Sequence, residues 1–321
     1  MRLTRLLPAF VLSLFAVAAS AQTYPDKPIK LIVPAAAGTS TDIIARELAQ
    51  RFGQALGQTM IVENIAGAGG AVGTERAAKS APDGYTIVLG TIGTHSINPS
   101  IYTKLGYDAI KEFAPLGFIG YTPMLVVTAP SSPANTIGEL IALARAQPGK
   151  LSFASSGSGT GNHLAGELLK TLAAVDMTHV PYKSGAQAVT DVASGQVSFM
   201  FYHIPAVGQH VKSGRLKALG LASIRRSPAM PNAVPVAEQG FPGFEVNPWW
   251  MLYAPAATPA PVLARLRAET ARMIALPDYQ ERLAGQGVET RVMSLEEYSA
   301  FTGQELAKWG PVVKASGARA D

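Results

Sequence analysis

A short apolar strand that leads through small hydroxyl and glycine residues into a helix is the feature that most constrains this chain. Leu151 to Ala154 reads as the strand, residues 155–163 are almost all serine, glycine and threonine, and leucines recur at helical spacing from Leu164. The first backbone N–H groups of a helix have no partner inside the helix, and the helix dipole places partial positive charge beside them. The segment therefore predicts a site that suits an anion.

A second segment of the same kind lies near the N-terminus. Residues 29–33 read as a strand, residues 34–39 as a loop of small residues, and Ser40-Thr41-Asp42 as the capped start of a helix. The apolar residues on one face of that helix are Ile43, Ile44, Leu48 and Phe52. Two anion-binding loops in one chain indicate a clamp that closes on a ligand from two sides.

Strand and helix patterns alternate along most of the chain, which favours an α/β fold with parallel sheets flanked by helices. The predicted strands are residues 29–33, 60–63, 85–89, 118–120, 124–128, 151–154, 178–180, 197–201, 216–221 and 250–253. The predicted helices are residues 41–56, 70–80, 137–146, 164–172, 186–194 and 206–212, followed by three more after residue 260, the last opened by a capping box at Ser294. Because 321 residues exceed one ordinary core, we expect two lobes, with crossings in the proline-rich residues 122–133 and 228–248.

The first 21 residues have the pattern of a secretory signal peptide. Arg2 and Arg5 precede the apolar residues 6–18, and Ala19-Ser20-Ala21 fits the small-residue cleavage site. The apolar run is shorter than the ~20 residues that a membrane span needs. The chain has no cysteine, which excludes disulfides, thiol catalysis and lipid attachment through a new N-terminal cysteine. We expect a protein that is exported and free of the membrane.

The charge pattern and the glycine-rich loops exclude several classes of function. The net charge of +5 is mild and its basic residues are scattered, so we expect no nucleic acid partner. Gly67–Gly73 and the loop at 157–162 each lack the third glycine of a dinucleotide-binding motif, and Ser158 lacks the flanking glycines of a nucleophile elbow. His163 and Glu167 share a helix face without the further ligands of a metal site. We therefore predict no cofactor, no metal and no catalytic residue.

Two aromatic features receive opposite interpretations. His95 lies in the segment Gly90–Ser96, just beyond a predicted strand, where open sheets present loops that contact ligands. We therefore keep residues 91–95 as a candidate ligand loop. The segment Trp249-Trp250-Met251 fits either a stacking platform for a ligand or packing at the core or hinge, and we favour packing.

Six short motifs are spread over nearly the whole chain. They are Tyr24-Pro-Asp-Lys-Pro-Ile-Lys-Leu-Ile-Val-Pro34, Val62-Glu-Asn-Ile-Ala-Gly-Ala-Gly-Gly70, Pro82-Asp-Gly-Tyr85, His163-Leu-Ala-Gly-Glu-Leu168, His179-Val-Pro-Tyr-Lys183 and Glu305-Leu-Ala-Lys-Trp309. In sequence and in order they resemble those of the Bug-type receptors, the extracytoplasmic solute-binding proteins of tripartite tricarboxylate transporters.

The resemblance implies a two-lobed, type II periplasmic-binding-protein (Venus flytrap) fold, with a mixed and mostly parallel sheet flanked by helices in each lobe. Lobe 1 would comprise residues 22–123 and 249–321, the last helices returning to it, and lobe 2 residues 124–248. Family members bind small organic carboxylates, including some amidated or aromatic acids. The resemblance further implies a monomer in the periplasm that works with integral membrane transporter subunits.

The resemblance also implies which loops hold the ligand. One carboxylate would lie in the loop after the first strand, and the serine- and glycine-rich loop would face it from lobe 2. The candidates in these loops are Ala35, Ala36, Gly38, Thr39, Ser40, Thr41, Asp42, Ser155, Ser156, Gly157, Gly159, Thr160 and His163. Further candidates are Thr94, His95, Tyr182, Lys183 and Tyr202. Hydroxyls and backbone amides would supply the hydrogen bonds, so no basic side chain is required.

Two departures from the family pattern bear on the ligand. The loop Pro34-Ala-Ala-Ala-Gly-Thr39 keeps one of the two glycines that the family commonly has there. Tyr202 stands where the family often has an aspartate, which disfavours ligands with an ammonium group. Two other functions remain open at this point. A receptor for a membrane signalling protein would share the fold, and an exported hydrolase would need a nucleophile, a base and an orienting group that the spacings do not supply.

Overall fold

Two five-stranded sheets organise the protein, which a computed structural model describes over residues 24–319. The predicted signal peptide lies outside the described residues. The first sheet contains β1 (Ile29–Val33), β2 (Met60–Asn64), β3 (Thr86–Thr91), β4 (Phe113–Tyr121) and β10 (Trp249–Pro255), in the spatial order β2-β1-β3-β10-β4. The second contains β5 (Met124–Thr128), β6 (Ser152–Ser155), β7 (Thr178–Pro181), β8 (Phe199–His203) and β9 (Lys217–Leu221), in the order β7-β6-β8-β5-β9.

Helices flank both sheets. They are α1 (Ser40–Leu56), α2 (Ala71–Ala78), α3 (Asn98–Ile101), α4 (Ile137–Ala146), α5 (Gly161–Ala173), α6 (Gly185–Ala193), α7 (Ile204–Lys212), α8 (Ala260–Ile274), α9 (Pro277–Gly285) and α10 (Leu295–Ser316). The candidate ligand loop after β3 is instead the start of a π-helical turn, Gly93–Ile97, that runs into α3. Within residues 24–319, no helix combines the length and the apolar character that crossing a membrane requires.

The two sheets repeat one arrangement of strands. In the first sheet β1 is parallel to β2 and β3, and β10 lies antiparallel between β3 and β4. In the second, β6 is parallel to β7 and β8, and β5 lies antiparallel between β8 and β9. The α/β class and the mixed, helix-flanked sheets confirm the fold expected for the chain. The antiparallel strands β5 and β10 enter their sheet directly from the other lobe, so they need no helical crossover.

Helix ends follow local sequence signals. The hydroxyl of Thr39 accepts a hydrogen bond from the Asp42 amide and caps α1, and Gly57 ends this helix with a positive φ of 67°. The predicted capping box of α10 is confirmed, because Ser294 and Glu297 exchange side-chain-to-backbone bonds.

Apolar residues form three clusters, one on the outer face of each sheet and one that continues between the lobes. Because side chains alternate along β8, this strand contributes residues to two of these clusters. Phe199 and Phe201 enter the cluster that includes residues of α4 and α5 and extends into the first lobe, whereas Met200 and Tyr202 enter the cluster under α6 and α7. Each buried phenylalanine contributes about 1.5–3 kcal/mol of hydrophobic stabilisation.

The chain crosses between the sheets where three segments are hydrogen-bonded together. The Thr122 amide donates to the Pro248 carbonyl oxygen at 2.9 Å, and the Thr122 hydroxyl donates to the Gly287 carbonyl oxygen at 2.7 Å. Tyr121 and Glu289 add a short antiparallel bridge. The carboxyl ends of β1, β3, β6 and β8 face the space between the two lobes, and the next residues of the chain build the site there.

Candidate functional site

A cavity of about 530 Å³ lies between the two lobes. Its wall contains residues from both candidate loops, which we name the first cradle (residues 35–42) and the second cradle (residues 155–163). The candidate residues that line it are Ala35, Ala36, Thr39, Ser40, Thr41, Ser156, Gly157, Thr160, Tyr182, Lys183 and Tyr202. The structure thus brings both cradles to a common space.

Five helices begin at this cavity. Its wall includes the N-cap or the first residue of α1, α2, α5, α6 and α7, which are Ser40, Gly70, Gly161, Gly185 and His203 respectively. Each helix follows a parallel strand whose carboxyl end points into the cleft, so the topology alone aims their N-termini at one place. Each N-terminus carries a partial positive charge of about half an elementary charge.

Charged side chains contribute little to the wall. Among the described residues that line the cavity, Lys183 carries the single formal charge, and no carboxylate is present. His203 is neutral, because burial lowers its pKa to about 4. The positive potential of the cavity therefore comes mainly from backbone dipoles, which suits an anion without an ammonium group.

Asp42 organises the first cradle from behind the wall. Its carboxylate accepts hydrogen bonds from the Gly38 amide at 2.9 Å, Arg46 Nε at 3.0 Å and Asn64 Nδ2 at 3.0 Å. Burial opposes the ionisation of Asp42, but the bonds from Arg46, Gly38 and Asn64 outweigh it and hold its pKa below the usual value. Asp42 and Gly38 do not line the cavity, since their polar groups are paired with each other and with these residues.

The hydroxyls of the first cradle differ in what they can donate. The Thr39 hydroxyl donates to the Ala36 carbonyl oxygen at 2.8 Å, so its proton serves the loop. The Thr41 hydroxyl accepts the indole N–H of Trp250 at 3.2 Å, which occupies a lone pair and leaves its proton for a ligand. Ser40 Oγ lies 3.0 Å from Nδ1 of His203 and so joins the two lobes.

The second cradle leaves the N-terminus of α5 open. Thr160 is the N-cap, but its side chain makes no capping bond and lies instead 2.6 Å from the Gly157 carbonyl oxygen. Asn162 holds the loop together, because its side-chain oxygen is within hydrogen-bond distance of Thr160 and lies 3.3 Å from the Ser156 hydroxyl. The first backbone amides of α5 are therefore not satisfied by a side-chain cap.

Two stacked histidines support the second cradle from behind. The rings of His163 and His179 are 4.0 Å apart, the Gly159 amide donates to Nδ1 of His163 at 3.3 Å, and His179 Nε2 lies 2.7 Å from the Ser155 hydroxyl. Burial lowers the pKa of His163 to about 4, and burial together with His163 and Lys170 lowers that of His179 to about 3. Ser155, Gly159 and His163 stay behind the wall.

The Ser155–His179 pair has the distance of a hydrolase nucleophile and base. Ser155 is fully buried, its oxygen also accepts the Gly157 amide at 3.1 Å, and it does not face the cavity. The pair therefore positions a loop and presents no nucleophile to a ligand.

Thr94 and His95 depart from expectation because they pack inside the first lobe. His95 is completely buried, its ring stacks on Tyr253 with a centroid separation of 4.1 Å, and its Nδ1 lies 2.8 Å from the Thr94 hydroxyl. Burial lowers the pKa of His95 to about 3. The π-helical turn carries both side chains away from the cleft, and only Thr91, Ile92 and Gly93 of this segment line it.

Several lining residues were not predicted. They include the β2–α2 loop at 66–70, Tyr102, His203, Pro248 and Trp250. The β2–α2 loop belongs to a motif that the sequence displays, so its glycines were a usable signal. Trp250 reaches the site from a strand far along the chain, whereas the sequence favoured packing at the core or hinge over a ligand contact for this residue.

The lobes touch across the mouth of the cavity through glycines. A Cβ atom at Gly69 of the first lobe would overlap the carbonyl oxygen of Ser158, and one at Gly159 would lie 2.5 Å from Asn98 Oδ1. Both glycines have a positive φ, which glycine adopts at low cost. This contact and the Ser40–His203 bond describe a closed arrangement of the lobes.

Comparison with known proteins agrees with this geometry. The family described as the tripartite tricarboxylate transporter family receptor matches residues 44–318. Protein BugT of Bordetella pertussis is 35% identical over 328 aligned residues, which cover 99% of each chain. The structure of Rpa4515 of R. palustris with adipate is 31% identical with a TM-score of 0.89, covering 92% of this chain and 99% of that one. The structure of MatC from Rhodopseudomonas palustris with bound malate is 30% identical with a TM-score of 0.85, covering 90% of this chain and 100% of that one.

Proposed function

The chain belongs to the tripartite tricarboxylate transporter receptor family, and from that premise we propose that it is a periplasmic solute-binding protein for a small organic carboxylate. The ligand binds in the cavity between the lobes, and the closed protein delivers it to integral membrane transporter subunits. The predicted signal peptide supports export, and the ligands named for Rpa4515 and MatC, adipate and malate, support the carboxylate class.

The convergence of five helix N-termini on a cavity whose described lining residues include no carboxylate is the observation that carries this proposal. A carboxylate that leaves water must regain its hydrogen bonds, and each charge-assisted bond contributes about 1.5–3 kcal/mol. Three or four such bonds, with up to about 2 kcal/mol from a helix N-terminus, cover the ~8 kcal/mol of a micromolar complex after the entropy cost of association.

The wall also bears on which carboxylates bind. An ammonium group needs an acceptor charge, and none of the described lining residues is acidic. Tyr102, Tyr182 and Trp250 provide ring surfaces for hydrocarbon parts of a ligand. We infer a preference for organic acids without an amino group.

Closure follows from the same contacts. The first cradle belongs to one lobe and the second to the other, so a ligand touches both only when the lobes are closed. Such a ligand stabilises the closed form by its differential contacts, and that form presents its surface to the membrane subunits.

Calorimetry with malate, adipate, citrate and benzoate tests the site. We expect Thr41→Val to weaken a confirmed ligand about tenfold, because it removes one charge-assisted donor, and Thr41→Ser to retain binding. Ser156→Ala is expected to weaken it by a smaller factor, and Ser299→Ala, on the exposed face of α10, serves as the control. Unchanged affinity in both Thr41→Val and Ser156→Ala would place the ligand elsewhere. Recovery of the acid chemically unchanged separates this function from hydrolysis.

A further inference from the structure

A second, smaller cavity of about 200 Å³ lies next to the ligand cavity. We name it the rear cavity. It is lined by Gly38 of the first lobe and by residues of α6 and α7, among them Ala186, Val189 and Ala206. Tyr202 is part of the wall of both cavities.

The position of Tyr202 follows from the alternation of β8. Tyr202 is the penultimate residue of that strand, close to the carboxyl end that faces the cleft, and its side chain points to the face covered by α6 and α7. It is only 2% exposed. The ring therefore stands between the ligand cavity and the space under the two helices.

Gly185 fixes the outer end of the Tyr202 ring. A Cβ atom at Gly185, the first residue of α6, would overlap the Tyr202 hydroxyl. The helix therefore starts with glycine where the phenol oxygen passes over its N-terminus. In this position the Tyr202 ring lies in the walls of both cavities.

We propose that Tyr202 is a partition that limits the length of the acid that the protein accepts. This inference rests on the proposed carboxylate-binding function. Beyond the ring, the rear cavity offers small apolar residues to a methylene chain, and Arg215 at its edge supplies a cation for a distal carboxylate. With the ring in place, an extended acid cannot enter that space from the ligand cavity.

The test is calorimetry with the straight-chain dicarboxylates succinate, adipate, suberate and sebacate against the wild-type protein and three variants. Tyr202→Ala and Tyr202→Leu shorten the partition, and Leu keeps more of the packing under α6 and α7. Tyr202→Phe keeps the ring and is the matched control. Thermal unfolding of each variant without ligand verifies that it is folded.

We expect Tyr202→Leu and Tyr202→Ala to improve the affinity for suberate relative to succinate by about tenfold, since two or more further methylenes become buried. Tyr202→Phe should retain the wild-type order of affinities. If every variant binds the acids in the wild-type order of affinity, Tyr202 is not a partition, and the proposed function is unaffected. Absence of binding by the wild type and all variants overturns the proposed function, and the partition with it.

Discussion

The two cradles hold their loops by different chemistry, although they occupy equivalent places in two sheets of the same strand order. The first cradle is fixed by a buried carboxylate, Asp42, with Arg46 and Asn64 as partners, and its helix is capped by Thr39. The second is fixed by neutral groups, Asn162 and the His163–His179 stack, and its helix has no side-chain cap. One fold can therefore present the same anion-binding geometry with a charged support or with an uncharged one.

The difference in chemistry implies a difference in flexibility. In the first cradle Gly38 is the one glycine of the loop and its amide is bound to Asp42. The second has two glycines with positive φ, Gly157 and Gly159, where the first has Gly38 alone. The second cradle can therefore adjust its backbone with less strain, whereas the first is a more rigid seat for an anion.

Acidification should produce the largest difference between the two cradles in the stability that their supporting residues contribute. Asp42 has a lowered pKa, so the stability it contributes is complete above the ordinary aspartate value of about 3.9 and is lost only as the pH falls below it. His163 and His179 stay neutral in the folded protein down to pKa values of about 4 and about 3. The unfolded chain protonates them near pH 6.5, so the native state loses stability as the pH falls from there towards those lower values.

The expected size of this loss is up to ~1.4 kcal/mol per pH unit for each such histidine. Urea unfolding at pH values from about 7.5 to about 5, where histidine titrates, measures this loss of stability. In the double variant His163→Gln, His179→Phe, the free energy of unfolding should decline less steeply with falling pH than in the wild type. His95→Gln tests how much of the acid sensitivity comes from the buried histidine of the first lobe. An identical slope in the double variant would show that the histidine stack does not carry the acid sensitivity.

Removing the polar side chain that supports each cradle, Asp42 or Asn162, should have the next largest effect on the free energy of unfolding. Asp42→Ala leaves the Gly38 amide without its acceptor and takes from Asn64 Nδ2 one of its two acceptors, the other being the Ala35 carbonyl oxygen. We expect the free energy of unfolding to fall by about 2–3 kcal/mol. Asn162→Ala removes weaker, neutral bonds and should cost about 1 kcal/mol. Asp278→Asn, at an exposed pair with Arg51, is the control and should change stability by less than about 1 kcal/mol.

Denaturant unfolding with these three variants tests whether the cradles are in fact supported differently. If Asn162→Ala were as costly as Asp42→Ala, the charged and neutral supports would be equivalent. The ligand affinity of Asp42→Ala should fall with its stability, because the loop that this carboxylate holds lines the cavity.

Local sequence was sufficient to locate both cradles. Strand, small-residue loop and helix follow each other within 28 residues at β1–α1, Ile29–Leu56, and the caps that start the helix are next to it in sequence. The two sheets were also predictable in class, since alternating patterns of strand and helix extend over most of the chain. The strands that lie antiparallel, β5 and β10, were placed correctly along the chain, but their direction depends on the crossings between lobes.

Side-chain roles within the site were less predictable because they depend on distant partners. Nothing in the local sequence distinguishes the hydroxyls of Thr39 and Thr41. In the structure Thr39 donates to a carbonyl oxygen of its own loop, whereas Thr41 accepts a hydrogen bond from Trp250, 209 residues away. His95 looked like a ligand residue at a strand end, and a π-helical turn with Tyr253 beneath it makes it a core residue. Burial of this kind is decided by tertiary packing, which periodicity does not report.

The smallest predicted effect concerns the bond that joins the two halves. Ser40 begins the helix of the first cradle, and His203 ends β8 in the other lobe, with 3.0 Å between Oγ and Nδ1. A double-mutant cycle with Ser40→Ala and His203→Gln should give a coupling of about 0.5–1.5 kcal/mol in ligand affinity. Thermal unfolding without ligand should show less coupling, because an open form does not bring the two atoms together. Strictly additive effects on affinity would mean that the bond does not stabilise the ligand-bound form, and the glycine contacts at Gly69 and Gly159 would then be the main link across the closed mouth.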